Sequence, residues 1–515
     1  MTECNGDSET SDRHLQMDTG EVSEQANGKG RETVGQNING DPEEGGAKCG
    51  GGSQDPAPMP GAVTAPDGGW GWVVLAATIM ILALTLAFPS CVGIFYTDLQ
   101  NEFKASNSET SWVPSIMTSV LHAGGPFCSA LVERFGCRAT IMLGGLLSGV
   151  GMAASSFTNS IIELYITAGL ITGLGFCFCF QPAVTILGHY FVQRRTFANA
   201  MSSTGTALGL CTLPILGNYL HGELGWRGSF LVLGALLLNC CVCGALMRPL
   251  KPPGPRGRPL MSHKRPEMQK ESGGALWKWA PGALCGSLWA SLRKHMAFDL
   301  FRRNLRYRVY TIGITWMMLG FVVPLVYLVP YATSNNMEQG KAALLLSILG
   351  VVNIIVRPPM GLLFNLPWFK GRHVYVFSVA LLVNGLSNSI CCIGPSFPVL
   401  LVYVVAYGLS MSVVGSLMFT VLMQTVQEMS AFPSALGLLA VMESVTLLIG
   451  PPLAGILVDR TGQYYHMFLV CSVVVASSAI FLIVSFYILG RRDKKAATRG
   501  QPLALTDQDV SPQRQ

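Results

Sequence analysis

The chain has 515 residues, half of them apolar and only 12% charged, with a formal net charge of +6. A water-soluble protein would carry about a quarter charged residues, so a soluble enzyme or nucleic-acid-binding domain is excluded and a polytopic membrane protein is expected. Charge is placed unevenly: residues 1–65 hold twelve acids against four bases, and residues 250–308 hold thirteen bases against three acids.

Residues 1–65 are rich in Gly, Glu, Asp, Asn and Ser and read as a disordered acidic tail with no cleavable signal peptide. Apolar runs then predict spans near 72–96, 112–132, 139–157, 163–188, 197–220 and 228–247. A second set follows near 309–332, 341–364, 373–393, 398–425, 433–457 and 465–489. Each is long enough to cross a core of ~30 Å at 1.5 Å per residue. The expected fold class is therefore an all-α polytopic membrane protein of twelve transmembrane helices, with six-helix halves at 66–248 and 309–490. A basic linker at 249–308 joins them, and a tail covers 491–515. Within the linker, residues 275–304 mix apolar and basic side chains as an amphipathic segment on a bilayer surface would. Cysteines such as Cys177, Cys179, Cys240, Cys241, Cys243, Cys391 and Cys392 fall inside apolar runs, where they serve as small packing residues.

Arg134, Arg138, Arg194, Arg195, the linker, Lys370, Arg372, Arg491, Arg492, Lys494 and Lys495 lie on connections of one side. The positive-inside rule makes that side cytoplasmic and puts both termini inside a multi-pass protein. The linker's bases are read as a topology signal that also meets anionic lipid head groups, with no nucleic acid involved. No Asn-x-Ser/Thr acceptor for a glycan occurs anywhere in the chain.

A repeat runs through the spans. GGPFCSALVERFG (124–136), LPILGNYLHGELG (213–225), RPPMGLLFN (357–365) and GPPLAGILVDRTG (450–462) fall in the second, fifth, eighth and eleventh. Pro126, Pro214, Pro358 with Pro359, and Pro451 with Pro452 predict a kinked helix in every third span. Four three-helix units of this kind are the internal symmetry of major-facilitator transporters.

Two charges stand inside spans. Arg357, in LLLSILGVVNIIVRPPMGLLF (344–364), costs about 2.5–3.5 kcal/mol to insert and must face protein or water. It reads as an anion-binding site ahead of a structural ion pair. Glu443, in LLAVMESVTLLIG (438–450), could neutralise Arg357, accept a proton, or make an interhelical hydrogen bond. His122 in the second span could titrate near pH 6.5, although a polar residue lining a cavity is the commoner case. No nucleophile–base pair, metal-ligand spacing or phosphate-binding glycine loop stands out, so no enzyme activity, cofactor or metal is expected.

APDGGWGWVV (65–74) places Asp67 as a possible helix cap before Gly68, Gly69, Trp70, Gly71 and Trp72. It resembles the signature that opens the monocarboxylate transporter family, solute carrier family 16 of the major facilitator superfamily. YFVQRRTFANAMSSTGTALG (190–209) resembles a second family motif at Tyr190, Phe191, Arg194, Arg195, Ala198, Asn199 and Gly205, and departs from it at Ala200. VERFGCR (132–138) is similar to a superfamily loop, and FYTDLQNEF (95–103) and ASNSETSW (105–112) extend the likeness.

The resemblance implies that Arg357 engages a substrate carboxylate. Proton-coupled members carry an acid four residues earlier and a lysine after Phe-Pro in helix 1; here these are Asn353 and, in AFPSCVG (87–93), Ser90. Both are neutral. Phe88, Pro89, Cys91, Trp112 and Phe180 are candidates to shape the cavity, and Arg194 and Arg195 to act as topology and gating charges. The expected function is a plasma-membrane transporter of small organic anions by alternating access, carrying carboxylates larger and more apolar than lactate by facilitated diffusion. Alternatives are proton-coupled symport of lactate or pyruvate through Glu443 or His122, and a non-transporting ligand sensor or scaffold. The resemblance also implies a single-span escort glycoprotein of the basigin or embigin type.

Overall fold

The computed structural model describes residues 68–191, 195–248, 298–364, 366–369, 371–426 and 432–498. Asp67, Arg194 and most of the 249–308 linker lie outside the described residues.

Every regular element among the described residues is a helix. Among the described residues, twelve candidate crossings are labelled α1 to α12. They begin with α1 (Trp70–Phe103), α2 (Asn107–Ala123 continued by Gly125–Val132), α3 (Arg134–Ser155) and α4 (Ile161–Tyr190). Met201–Leu246 is 46 residues long, roughly twice what a bilayer core needs, and its helical geometry breaks at Gly225, giving α5 (201–224) and α6 (226–246). The remaining six are α7 (Leu305–Ser334), α8 (Gln339–Leu363), α9 (His373–Cys392), α10 (Phe397–Val426), α11 (Phe432–Thr461) and α12 (Tyr464–Thr498).

Apolar side chains cover both the inside and the outside of this bundle. Phe88, Met117, Phe176, Phe230, Met317, Phe377 and Leu482 are fully buried between helices. Leu146, Val150, Ile355, Val379, Val402 and Val473 are exposed, as a surface solvated by lipid tails requires.

The threefold repeat in the sequence has a backbone counterpart. Gly136 in the first turn of α3, and Gly225, Gly371 and Gly462 after α5, α8 and α11, all have positive φ, between 63° and 81°. A side chain would meet nothing within 4 Å at any of them, so glycine is required there by backbone conformation and not by space. The four repeat-bearing helices also build the interface between the halves: α2 lies along α11, and α5 along α8.

The prolines act less uniformly than the sequence suggests. Pro126 sits in the first turn after a break at Gly124, where α2 bends by 49°. Pro214, Pro358, Pro359, Pro451 and Pro452 lie within helices that run on uninterrupted. Tertiary packing tolerates the missing donors, as neighbouring helices in membrane bundles commonly do.

Candidate functional site

Arg357 lies in α8 and is half-buried. Its Nη1 donates to the Ser203 carbonyl of α5 at 3.2 Å, so it reaches from the second half of the bundle to the first. Its Nε is buried and has no hydrogen-bond partner. A guanidinium offers five N–H donors, and a buried donor left unmet costs roughly 1–3 kcal/mol. The group is held at Nη1 and left unsatisfied at Nε.

One turn earlier, Asn353 is buried and has both ends of its amide engaged. Nδ2 donates to the Leu349 carbonyl at 2.8 Å, and Oδ1 accepts from Ser412 Oγ at 2.9 Å. It fastens α8 to α10. Ser90 and Phe88 are buried at the bend of α1, where Phe88 meets Phe176 of α4 edge-on with centroids 5.5 Å apart. His122 bonds within its own helix, Nδ1 to the Thr118 carbonyl at 2.8 Å. Glu443 is 4% exposed, its Oε1 lacks a partner, and it lies near Tyr307 and Tyr310 of α7. Among the described residues it makes no ion pair with Arg357 in this conformation. Of the sequence-predicted site residues, the structure puts Asn353 next to Arg357 and leaves Ser90, Phe88, His122 and Glu443 on other elements.

The two sequence motifs form a joint at the opposite end of α1. Trp70 Nε1 donates to the Leu246 carbonyl at 2.9 Å, and the Arg248 guanidinium lies 3.9 Å over the Trp70 ring. Trp72 meets Phe191 edge-on at 5.6 Å, and Tyr190 donates to the Arg248 carbonyl at 2.8 Å. Gly71 packs closely here: a Cβ there would lie 3.2 Å from the Phe191 ring. Gly69, with φ of 56°, sets the turn into the helix as its N-cap, and no side chain caps it. Gly205 lets α5 touch α1: a Cβ would sit 2.3 Å from the Ile79 carbonyl oxygen. Asn199 is exposed. The fixed order of tryptophans, glycines, Tyr190 and Phe191 is thus the packing code for the ends of α1, α4 and α6.

A cluster that the sequence did not single out lies at the start of α2. Asp459, near the end of α11, accepts from Asn107 N at 3.0 Å, Asn107 Nδ2 at 2.8 Å and Ser108 N at 3.0 Å. Asn107 N and Ser108 N are the first backbone donors of α2, which its own helix cannot satisfy. Ser106 and Glu109 add a capping box at the same N-terminus. Around Asn107 gather Tyr96, Gln100 and Tyr464, and Tyr327 donates to the Pro451 carbonyl at 3.0 Å. Gln339 of α8 donates to the Ile94 carbonyl of α1 at 3.0 Å. Both halves supply partners, so this end of the bundle is latched. The readable signal was the Ser106-x-x-Glu109 box in ASNSETSW; nothing local marked Asp459 as its partner.

The Major Facilitator Superfamily profile matches residues 73–370 and 309–510. Monocarboxylate transporter 6 from Homo sapiens is 48% identical over 446 residues, 85% of this chain and 84% of that protein. The Homo sapiens monocarboxylate transporter 2 is 37% identical, over 86% of this chain and 92% of its own length. The chain belongs to the monocarboxylate transporter family. Among solved structures, a bacterial homologue of the human lysosomal transporter Spinster, inward-facing and unoccupied, covers 82% of this chain and 97% of its own. Its TM-score is 0.55 at 16% identity, so the two share the major-facilitator fold. At Ser90 and Asn353 this chain is neutral.

Proposed function

We propose that this protein moves monocarboxylate-type organic anions across the plasma membrane by alternating access, with Arg357 taking the carboxylate between the halves. The observation that carries this reading is a half-buried guanidinium on α8 whose buried Nε has no partner and whose Nη1 bonds α5 of the other half. A carboxylate gives it the charge-assisted partners it lacks, and neutralising it removes the cost of keeping a lone cation in the bundle. The positive-inside rule puts the Asp459–Asn107 latch on the outer face and both termini in the cytoplasm. Transport then requires that latch to open while the Arg357 end closes, the rocking of halves common to this fold.

Facilitated transport of carboxylates larger and more apolar than lactate fits best, because neither Ser90 nor Asn353 can carry a proton. Proton-coupled symport of lactate or pyruvate is the second reading. It is favoured by one observation, the buried and unpartnered Oε1 of Glu443. A single-span escort of the basigin or embigin type fits a chain with no glycan acceptor. The test is uptake of a radiolabelled carboxylate panel into oocytes by the unsubstituted chain, Arg357→Ala and Arg357→Lys. Loss of uptake in Arg357→Ala with normal surface amounts supports the site; undiminished uptake removes it.

A further inference from the structure

The start of α9 and the last turns of α12 meet in a patch outside the Arg357 site. Arg372, the N-cap of α9, and Tyr375, Val376 and Val379 recur at helical spacing and so share one face. Together they line an open groove of about 510 Å³. α12 packs along α9. On α12, Tyr487, Gly490 and Arg491 share a face by the same spacing, and a Cβ at Gly490 would stand 4.0 Å from the Tyr375 hydroxyl. That approach joins the groove to the α12 stripe, with Arg491 next in the chain.

The chemistry changes along the groove. Further into the apolar run, Val376 and the exposed Val379 present hydrocarbon. At the mouth, the Arg372 guanidinium lies 5.8 Å over the Trp368 ring, and that of Arg491 lies 5.6 Å over Tyr487. Trp368 and Tyr487 are exposed, and such rings at helix ends mark the depth of lipid head groups. The two helices do not compensate this charge themselves. α9 contains no acid, and the single acid of α12, Asp493, is engaged by Arg306 of α7.

We propose that this groove binds one anionic phospholipid, with its phosphate held by Arg372, Arg491 and the Tyr375 hydroxyl and an acyl chain laid along Val376 and Val379. Guanidiniums give phosphate oxygens charge-assisted hydrogen bonds, and a head group of net negative charge leaves no cation to oppose them. A soluble anion would engage the arginines and leave the apolar wall bare; the continuity of the two selects a lipid. The lipid staples α9 to α12 within one half of the bundle. On the orientation proposed above, it sits in the cytoplasmic leaflet, where anionic lipids concentrate. Binding by the purified protein reads the site whichever way the chain is oriented.

The test follows the melting temperature of the purified full chain in a neutral detergent. The added probes are dioleoyl phosphatidylserine, dioleoyl phosphatidylcholine and water-soluble glycerophosphoserine. Phosphatidylserine is expected to stabilise at concentrations about tenfold lower than phosphatidylcholine, from the attraction of two bases, and glycerophosphoserine to have no effect. Arg372→Gln combined with Arg491→Gln should respond to both lipids alike. Arg492→Gln, which removes an exposed base off the stripe, should keep the preference. Equal midpoints for the two lipids in the parent overturn the proposal, as does a preference undiminished in the double variant. An equal loss in Arg492→Gln shows diffuse charge attraction and overturns the site. Stabilisation by glycerophosphoserine at the lipid concentrations shows a free-phosphate site and overturns the lipid. Should the double variant not fold, Val379→Trp decides, because it fills the groove and leaves both arginines. Loss of the phosphatidylserine effect there supports the groove, and an unchanged midpoint overturns it.

Discussion

At the scale of single residues, shape and charge at position 357 make separable predictions. Arg357→Ala removes the cation and should abolish uptake. Arg357→Lys keeps the charge but offers a point donor without a planar fork, and should leave about a tenth of the uptake or less at matched surface amounts. Asn353 makes a sharper prediction, because its amide is spent on Leu349 and Ser412. In Asn353→Asp only the protonated acid can still donate to the Leu349 carbonyl; the ionised form faces that oxygen unfavourably and competes with substrate for Arg357 one turn away. Uptake by Asn353→Asp should therefore be faster at pH 6 than at pH 7.5. A flat profile in that variant would show that the residue does not reach the guanidinium.

At the scale of elements, the latch is a helix cap supplied in trans. A carboxylate at a helix N-terminus is favoured by the exposed N–H groups and by the helix dipole. Asp459 serves α2 in this way from α11, across the interface between the halves. Asp459→Asn keeps the size and removes the charge. It should shift the population several-fold toward the state open at that end, read as faster alkylation of a cysteine introduced near Asn107. An unchanged rate means the latch carries no weight in the equilibrium. The glycines after α2, α5, α8 and α11 are a second device at this scale. Gly225 has φ of 63° and ψ of −177°, a region essentially reserved for glycine. Gly225→Ala should cost about 1–3 kcal/mol and lower the melting temperature of the purified protein without altering KM.

At the scale of the whole molecule, coupling depends on whether a titratable group accompanies the substrate through the rocking of the halves. Asn353 and Ser90 do not titrate, and Glu443 makes no ion pair with Arg357 in this conformation. Uptake by the unsubstituted chain should accordingly differ by less than about twofold between external pH 6 and pH 7.5, where a coupled proton would give a change approaching the difference in proton concentration. A strong acceleration at pH 6 would favour the symport reading and place Glu443 at the head of the candidates.

Much of this architecture is legible in the chain. Twelve apolar runs each had to become a helix, because backbone groups within a bilayer have only internal partners. The repeat at the second, fifth, eighth and eleventh spans falls on the helices that the structure puts at the interface, and the glycines closing three of its four strings sit at positive φ. Arg357 stood out because a cation in an apolar run has few bland explanations. The partners of these residues were not legible. Ser203 presents a backbone carbonyl, which every residue has. Asp459 reads as an ordinary acid at a helix end until Asn107 arrives from more than three hundred positions away. Composition and periodicity determine which segments cross the membrane, because that choice is made by each segment against the lipid alone. Which side chains meet is decided only when the two halves pack, since hydrogen bonds and close approaches are properties of pairs.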